Sequence, residues 1–372
     1  MIIIDGMADR SQRTLGGKTP LQAAHLPNLD TLAGRGACGH MHPVSPGICA
    51  SSDQAHWRIL GYGDFPYTGR AGIEAVGAGV DLERDVVVVR VTLATTMIDD
   101  DKKYVQIAPA YLPDDQASEI AAALSSYSPG TYKTRIHHLG GPFMVMVLSG
   151  GASVEVTDSD PLFFRLPVPP IVPFDCAPPG AAEKTAGELT RFSAWAEDVL
   201  GSHPVNEKRA AEGMTVINDV LLKWPSSTPS VPPFESAWGF NAVAAVSGDF
   251  YTGLARLLRM ELKEIRRGNA ALDLAGKLES AAESVSEGRD FAFIHTKAAD
   301  EASHTGKPAK KVKVLEELDE AFALVVDRFS SDPDILTVIT ADHATPSGGS
   351  EDVIHSGESV PVMMVGSNVR TD

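Results

Sequence analysis

Apolar residues gather in short blocks that end abruptly on polar ones. Met1-Ile2-Ile3-Ile4 is an unbroken apolar run that stops at Asp5-Gly6, and it predicts a strand buried on both faces and ending on a carboxylate. The pattern recurs twice: Phe291-Ala292-Phe293-Ile294 leads to His295 and Asp300, and Ile335-Leu336-Thr337-Val338-Ile339-Thr340 leads to Asp342-His343. Such strands predict a parallel sheet whose carboxyl edge carries the site. Helical spacing marks Tyr251 to Arg266, Ala271 to Val285 and Lys311 to Phe329. Strands and helices that alternate in this way predict a doubly wound α/β fold.

The middle of the chain has a different pattern. Asp85 to Thr95 and Phe143 to Leu148 predict strands, Asp114 to Ser125 and Glu183 to Leu200 predict helices, and Pro161 to Pro179 is a proline-rich connection. Strand-ending carboxylates occur at both ends and not here, so residues 67–231 are expected to be an α+β domain inserted into a catalytic domain made of 1–66 and 232–372. Pro66 and Pro232-Pro233 are plausible hinges.

Composition narrows the chemistry. With 372 residues, 43% of them hydrophobic, the chain can bury a large core. A formal net charge of −17 and only 6% aromatic residues argue against a nucleic-acid partner, which needs clustered Lys and Arg. The basic run Lys307 to Lys313 reads as a solvated helix start. No apolar run is long enough to span a bilayer and no targeting segment is visible, so no membrane partner and a cytoplasmic location are expected. Cys38, Cys49 and Cys176 lack any metal-knuckle spacing and read as small buried hydrophobes.

The candidate chemistry lies at the strand ends. Asp300 and His304, four positions apart, share a face if their segment is helical. Alone, such a pair marks a solvated surface helix more often than a metal site. Asp342 and His343 follow a strongly apolar strand, with His355 a little further on, and adjacent Asp and His can approach one ion together. Asp5 is either a further ligand or an N-cap. Ser52 precedes a predicted helix over Gln54 to Leu60, where a serine is an N-cap or a nucleophile beside a phosphate held by free backbone N–H groups. The second role requires a base or a divalent ion to take the hydroxyl proton, and a second ion to offset phosphoryl charge.

These residues resemble those of a known family, the archaeal-type cofactor-independent phosphoglycerate mutases of the alkaline phosphatase superfamily. The resemblance is carried by Asp5 to Arg10, Lys18 to Gln22, Pro27 to Asp30, Ser45-Pro46-Gly47, Ser52-Asp53 with Ala55-His56 and Ile59 to Tyr62, Tyr67 to Arg70, Ala75 to Gly79, Thr157 to Pro161, and His203 to Asn206 with Arg209. It implies an alkaline phosphatase-like catalytic domain with residues 67–231 as its cap. It also implies two divalent ions: Asp5, Ser52, Asp342 and His343 around one, and Asp300, His304 and His355 around the other. Manganese is expected, while zinc, cobalt or magnesium suit the same donors. Ser52 would form phosphoserine, and Arg70, Arg90, His138, Asp158, His203, Asn206 and Arg209 would contact a phosphorylated small-molecule substrate.

Three stretches depart from the family pattern: Gln106 to Tyr111, His138-Leu139 and Lys223 to Ser226 stand where the family carries arginines. The substrate is therefore open between phosphoglycerate and another phosphorylated small molecule, and a metal-dependent phosphatase on the same core is the alternative.

Overall fold

Ile2, Ile3 and Ile4 are almost completely buried because strands flank them on both sides. The structure, a computed structural model, describes residues 1–128, 130–162, 166–228, 230–266, 268–348 and 354–371. In chain order the strands are β1 (Ile2–Ile4), β2 (Ala37–Met41), β3 (Val86–Asp99), β4 (Lys102–Ile107), β5 (Lys133–Gly140), β6 (Phe143–Ser149), β7 (Asp219–Ser227), β8 (Ala242–Val246), β9 (Glu261–Glu264), β10 (Phe291–Thr296), β11 (Thr337–Thr340) and β12 (Val360–Val365). The chain divides into two compact units: Met1–Tyr67 together with Val231–Asp372, and Thr68–Ser230.

The first unit holds a seven-stranded sheet in the order β2-β12-β11-β1-β10-β8-β9. β1 pairs in parallel with β10 and β11, and β8 pairs in parallel with β10 and β9. β12 runs antiparallel to both β11 and β2, so one edge of the sheet is mixed. Buried Leu274, Leu278, Leu315, Leu318 and Phe322 from the helices Ala270–Ser286 and Pro308–Ala321 and the residue after them pack with Ile2, Ile4, Ile294 and Ile339 of the sheet. Because the three central strands are parallel, their carboxyl ends emerge along one edge, which brings Asp5, the segment after Thr296 and the segment after Thr340 together.

The second unit is built on the sheet β4-β3-β6-β5, with β7 also paired to β3. β3 is covered on both faces. Val87, Val89, Val91 and Leu93 enter one core with Phe192, Leu189 and Ile120, while Val86 and Val88 pack with Ala71 and Ala75 of the helix Arg70–Gly77. Burial on both faces accounts for its near-continuous run of valines.

Four expectations need correction. The predicted helix over Tyr251 to Arg266 ends at Leu257, where Arg259 takes a left-handed φ of 55° and Met260 N–H closes onto Ala255 O at 2.9 Å. Glu261–Glu264 then forms the edge strand β9, whose charged residues look helical in sequence but also suit an exposed sheet edge. The basic run is not wholly solvated, because Lys311 is fully buried. All three cysteines are exposed, since none falls on an inward position of its segment. Finally, the strand expected from Ile335 begins at Thr337, and Leu336 is left exposed. Residues 163–165 of the proline-rich connection lie outside the described residues. Among the described residues, no helix is long and apolar enough to cross a membrane.

Candidate metal centre

Two groups of ligand-type side chains converge at the carboxyl edge of the first unit's sheet: Asp5 with Asp342 and His343, and Asp300 with His304 and His355. The first group is completely buried. Asp5 follows β1 and its N–H extends the ladder to Thr296 O at 2.9 Å. Gly6, in a left-handed conformation, donates its N–H to Asp342 Oδ1 at 3.0 Å, as does the N–H of His343. A side chain at Gly6 would be strained and would place Cβ 2.5 Å from Thr345 Oγ1 and 2.9 Å from Asp300 Oδ1. Glycine here lets the two strand-end loops close on each other.

Ser52 is the first residue of the helix Ser52–Ile59, and Ser51 occupies the N-cap position without a side-chain cap bond. Its hydroxyl therefore does not cap the helix but lies 3.0 Å from Nε2 of His343. That same nitrogen is 3.3 Å from Asp5 Oδ1 and 3.2 Å from Asp342 Oδ2. Asp5 is not an N-cap either. Its Oδ2 accepts a hydrogen bond from the Tyr251 hydroxyl at 2.7 Å and lies 3.2 Å from Nε2 of His295.

In the second group, Asp300 and His304 are one helical turn apart, with Oδ1 and Nε2 separated by 3.2 Å. Nε2 of His355 is 3.7 Å from the same oxygen, and its ring stacks on His343 at 3.7 Å between centroids. His304 is the exposed member, and Asp300 beside it raises its pKa despite partial burial.

The electrostatics suit a cation. Burial, reinforced by the charges of Asp5 and Asp300, pushes Asp342 well above the usual carboxylate range. Burial also opposes the charge on Asp5, but His295, His343 and Lys297 outweigh it and hold its pKa well below the ordinary value. Burial drives His355 down to about 4 and lowers His343, so both imidazoles are neutral and able to donate a lone pair. Asp5 Oδ1 and Asp342 Oδ2 are buried without any hydrogen-bond partner. Three converging carboxylates with two orphaned oxygens and neutral imidazoles form an oxygen and nitrogen donor set suited to divalent ions.

Several residues at this edge carried no chemical assignment from sequence. His56 is completely buried among the rings of Phe250, Tyr251, Phe293 and His295, its Nδ1 is 2.6 Å from Ser52 O, and burial lowers its pKa to about 3. Lys311 donates to Ala8 O, Thr345 O and Asp9 Oδ2 at 3.0, 2.9 and 3.1 Å. Tyr251 and Thr345 carry hydroxyls with no distinctive pattern around them in the sequence.

The other candidates all lie in the second unit. Arg70 and Arg90 both pair with buried Glu74, and their guanidinium groups lie over Trp224 and Phe143 respectively. Asp158 accepts the N–H of Trp224 at 2.9 Å, and burial raises its pKa to about 6. Arg70, Arg90 and Asp158 are thus linked through Trp224 and Glu74. His203, Asn206 and Arg209 form a different group on the helix Pro204–Ala211 and at its N-cap. His203 caps that helix, Asn206 bonds Leu200 O and both backbone groups of Ile217, and Arg209 bonds Thr215 O and Gln116. His138 contacts Gly141 O at 2.8 Å in the β5–β6 hairpin.

Similarity to known proteins extends over the whole chain. The family model described as Metalloenzyme superfamily matches residues 1–372. The chain is 32% identical over its whole length to 2,3-bisphosphoglycerate-independent phosphoglycerate mutase 2 of Methanocaldococcus jannaschii, covering 85% of that protein. It is 34% identical over its whole length to the 2,3-bisphosphoglycerate-independent phosphoglycerate mutase of Pyrococcus furiosus, covering 89% of it. Among solved structures, it is similar over its full length to a Pyrococcus horikoshii protein, with a TM-score of 0.78, 28% identity and 88% of that chain covered. A cofactor-independent phosphoglycerate mutase from Thermoplasma acidophilum gives a TM-score of 0.61 and 29% identity, again over the full chain and 90% of the other.

Proposed function

The chain belongs to the metalloenzyme superfamily and, within it, to the cofactor-independent phosphoglycerate mutases, which are metal-dependent phosphomutases, and on that premise we propose that it moves a phosphoryl group between two hydroxyls of one small molecule through Ser52. The observation that carries this reading is the Ser52 hydroxyl, 3.0 Å from His343 Nε2 inside the buried Asp5, Asp342 and His343 group.

Asp5, Ser52, Asp342 and His343 would hold one divalent ion and Asp300, His304 and His355 a second. When bound, such ions favour the alkoxide of the serine and offset charge on the transferring phosphoryl group. Manganese is the expected metal, with zinc, cobalt and magnesium as alternatives. Ser52 Oγ then attacks phosphorus in line: the new bond is Oγ–P, the bond that breaks is the substrate ester O–P, and the leaving oxygen takes up a proton. Return of the phosphoryl group to a neighbouring hydroxyl reverses these changes, so nothing is oxidised or consumed. The helix that begins at Ser52 presents backbone N–H groups to the phosphate.

Thr68–Ser230 would supply the groups that recognise the rest of the substrate. Its arginine complement bears on what that substrate is. Arg70 and Arg90 share the carboxylate of Glu74, and Lys223 is paired with Asp160, so strong bidentate anion clamps are reduced. The substrate class proposed is a phosphorylated small molecule, phosphoglycerate or another that needs fewer arginine clamps.

Phosphorus NMR of manganese-loaded protein with 3-phosphoglycerate and a panel of phosphorylated metabolites tests the proposal. Conversion of 3-phosphoglycerate to 2-phosphoglycerate, or isomerisation of another compound, supports it and identifies the substrate, while release of free phosphate alone would favour a phosphatase. Ser52→Ala is expected to abolish turnover while the fold is kept, and retained turnover would sink the covalent route.

A further inference from the structure

Thr345 lies two residues beyond His343 and is fully buried. Its hydroxyl touches both ligand groups, since Oγ1 is 2.9 Å from Asp300 Oδ1 and 3.0 Å from His343 Nδ1. A hydroxyl has one proton to donate. The hydroxyl donates to the Asp300 carboxylate, an acceptor-only group, so the threonine proton goes to Asp300. The same oxygen must then accept from His343, which places the imidazole proton on Nδ1 and leaves the Nε2 lone pair facing Ser52, Asp5 and Asp342.

The rest of Thr345 is fixed as well. Its N–H reaches Ala8 O at 3.0 Å, its carbonyl accepts from Lys311, and the bare Gly6 leaves space for its hydroxyl. Two backbone bonds fix the main chain here, and two bonds at Oγ1 fix the hydroxyl.

We propose that Thr345 is a positioning residue that couples the two metal-binding groups: one hydroxyl fixes His343 as an Nε2 donor in the first and orients Asp300 in the second. This rests on the reading of both groups as ion sites. Hydrogen-bond partners that set the tautomer and orientation of a metal ligand contribute about 10–100-fold to metal affinity when tested by mutation. Here a single hydroxyl serves ligands of both groups, so its removal is expected to weaken both.

The test compares wild type, Thr345→Val and Thr345→Ser. Nitrogen-15 spectra of metal-free, histidine-labelled protein should show His343 protonated at Nδ1 in wild type and in T345S, and a mixture of tautomers in T345V; the signal is assigned by its loss in His343→Gln. Manganese titration followed by electron paramagnetic resonance should show about 10–100-fold weaker binding in T345V, at both sites, with affinity restored in T345S. Circular dichroism checks the fold, and Thr345→Ala takes the place of the valine variant if that fails to fold. Wild-type affinity and tautomer in T345V would overturn the proposal, as would failure of serine to rescue it. If the wild-type protein takes up no manganese at all, the ion-site reading itself fails and the coupling with it.

Discussion

Lys311 carries a charge where water does not reach. Its partner Asp9 is equally buried on the side chain, and the ammonium also bonds two carbonyls, Ala8 O and Thr345 O, which lie on different loops of the metal-binding edge. Lys311→Met should leave the Asp9 carboxylate uncompensated and destabilise the protein by about 3–5 kcal/mol in urea unfolding, and adding Asp9→Asn should recover part of the loss. A loss below about 1 kcal/mol would mean that the pair is not holding the loops. This residue was hidden in the sequence because a run of four lysines within seven positions reads as a wet surface. By contrast Asp5, Asp342 and His343 were legible as candidates, since carboxylates directly after apolar strands are conspicuous. Thr345 was not, because a threonine in a loop has no distinctive pattern until its neighbours are known.

Segment 158–160 behaves as an extra edge on β7. Ser159 exchanges hydrogen bonds with Leu222, Asp158 accepts from Trp224, and Asp160 pairs with Lys223. Asp158 binds its proton more tightly in the folded chain, with a pKa of about 6 against an ordinary 3.8, mainly through burial. Its contribution to stability is therefore fully present below the unfolded value and is lost as pH rises through the folded one. Relative to wild type, Asp158→Asn should gain stability between about pH 4 and 6, measured by urea unfolding at several pH values. A difference that stays constant across this window would refute the shift. At this scale the sequence was readable where periodicity was strong, as in the helix Ala270–Ser286 against an expected Ala271 to Val285. It was unreadable where an edge strand such as β9 carries charges, because alternation with charged residues does not separate a wet helix from a sheet edge.

A parallel sheet containing β1, β10 and β11 was implied by the repeated strand-then-carboxylate grammar, whereas β8, the strand order and the mixed edge with β12 and β2 were not. Antiparallel pairing of Val360–Val365 depends on partners far away in the chain, which local pattern does not encode. All seven proposed ligands lie in the unit formed by Met1–Tyr67 and Val231–Asp372. Ion binding should therefore stabilise that unit by mass action, by about 2.7 kcal/mol when free ion is 100 times its dissociation constant. Calorimetry with manganese and then with a chelator should raise and lower one unfolding transition. An unchanged profile would argue against ions that bind only the folded state.

The position of β1 has a consequence for how the protein is made. Gly6 and Asp342 are hydrogen-bonded although 336 residues separate them, and β1 is enclosed by β10 and β11, both of which are translated much later. As the polypeptide leaves the ribosome, its three isoleucines wait without a sheet to join, while Thr68–Ser230 emerges as an uninterrupted segment able to fold ahead of them. The carboxylate of Asp5 likewise has no pocket until the last strands arrive. Maturation of the metal centre is thus tied to synthesis of β10, β11 and the segments that follow them, and β1 is the apolar strand a chaperone would need to shield in the interval.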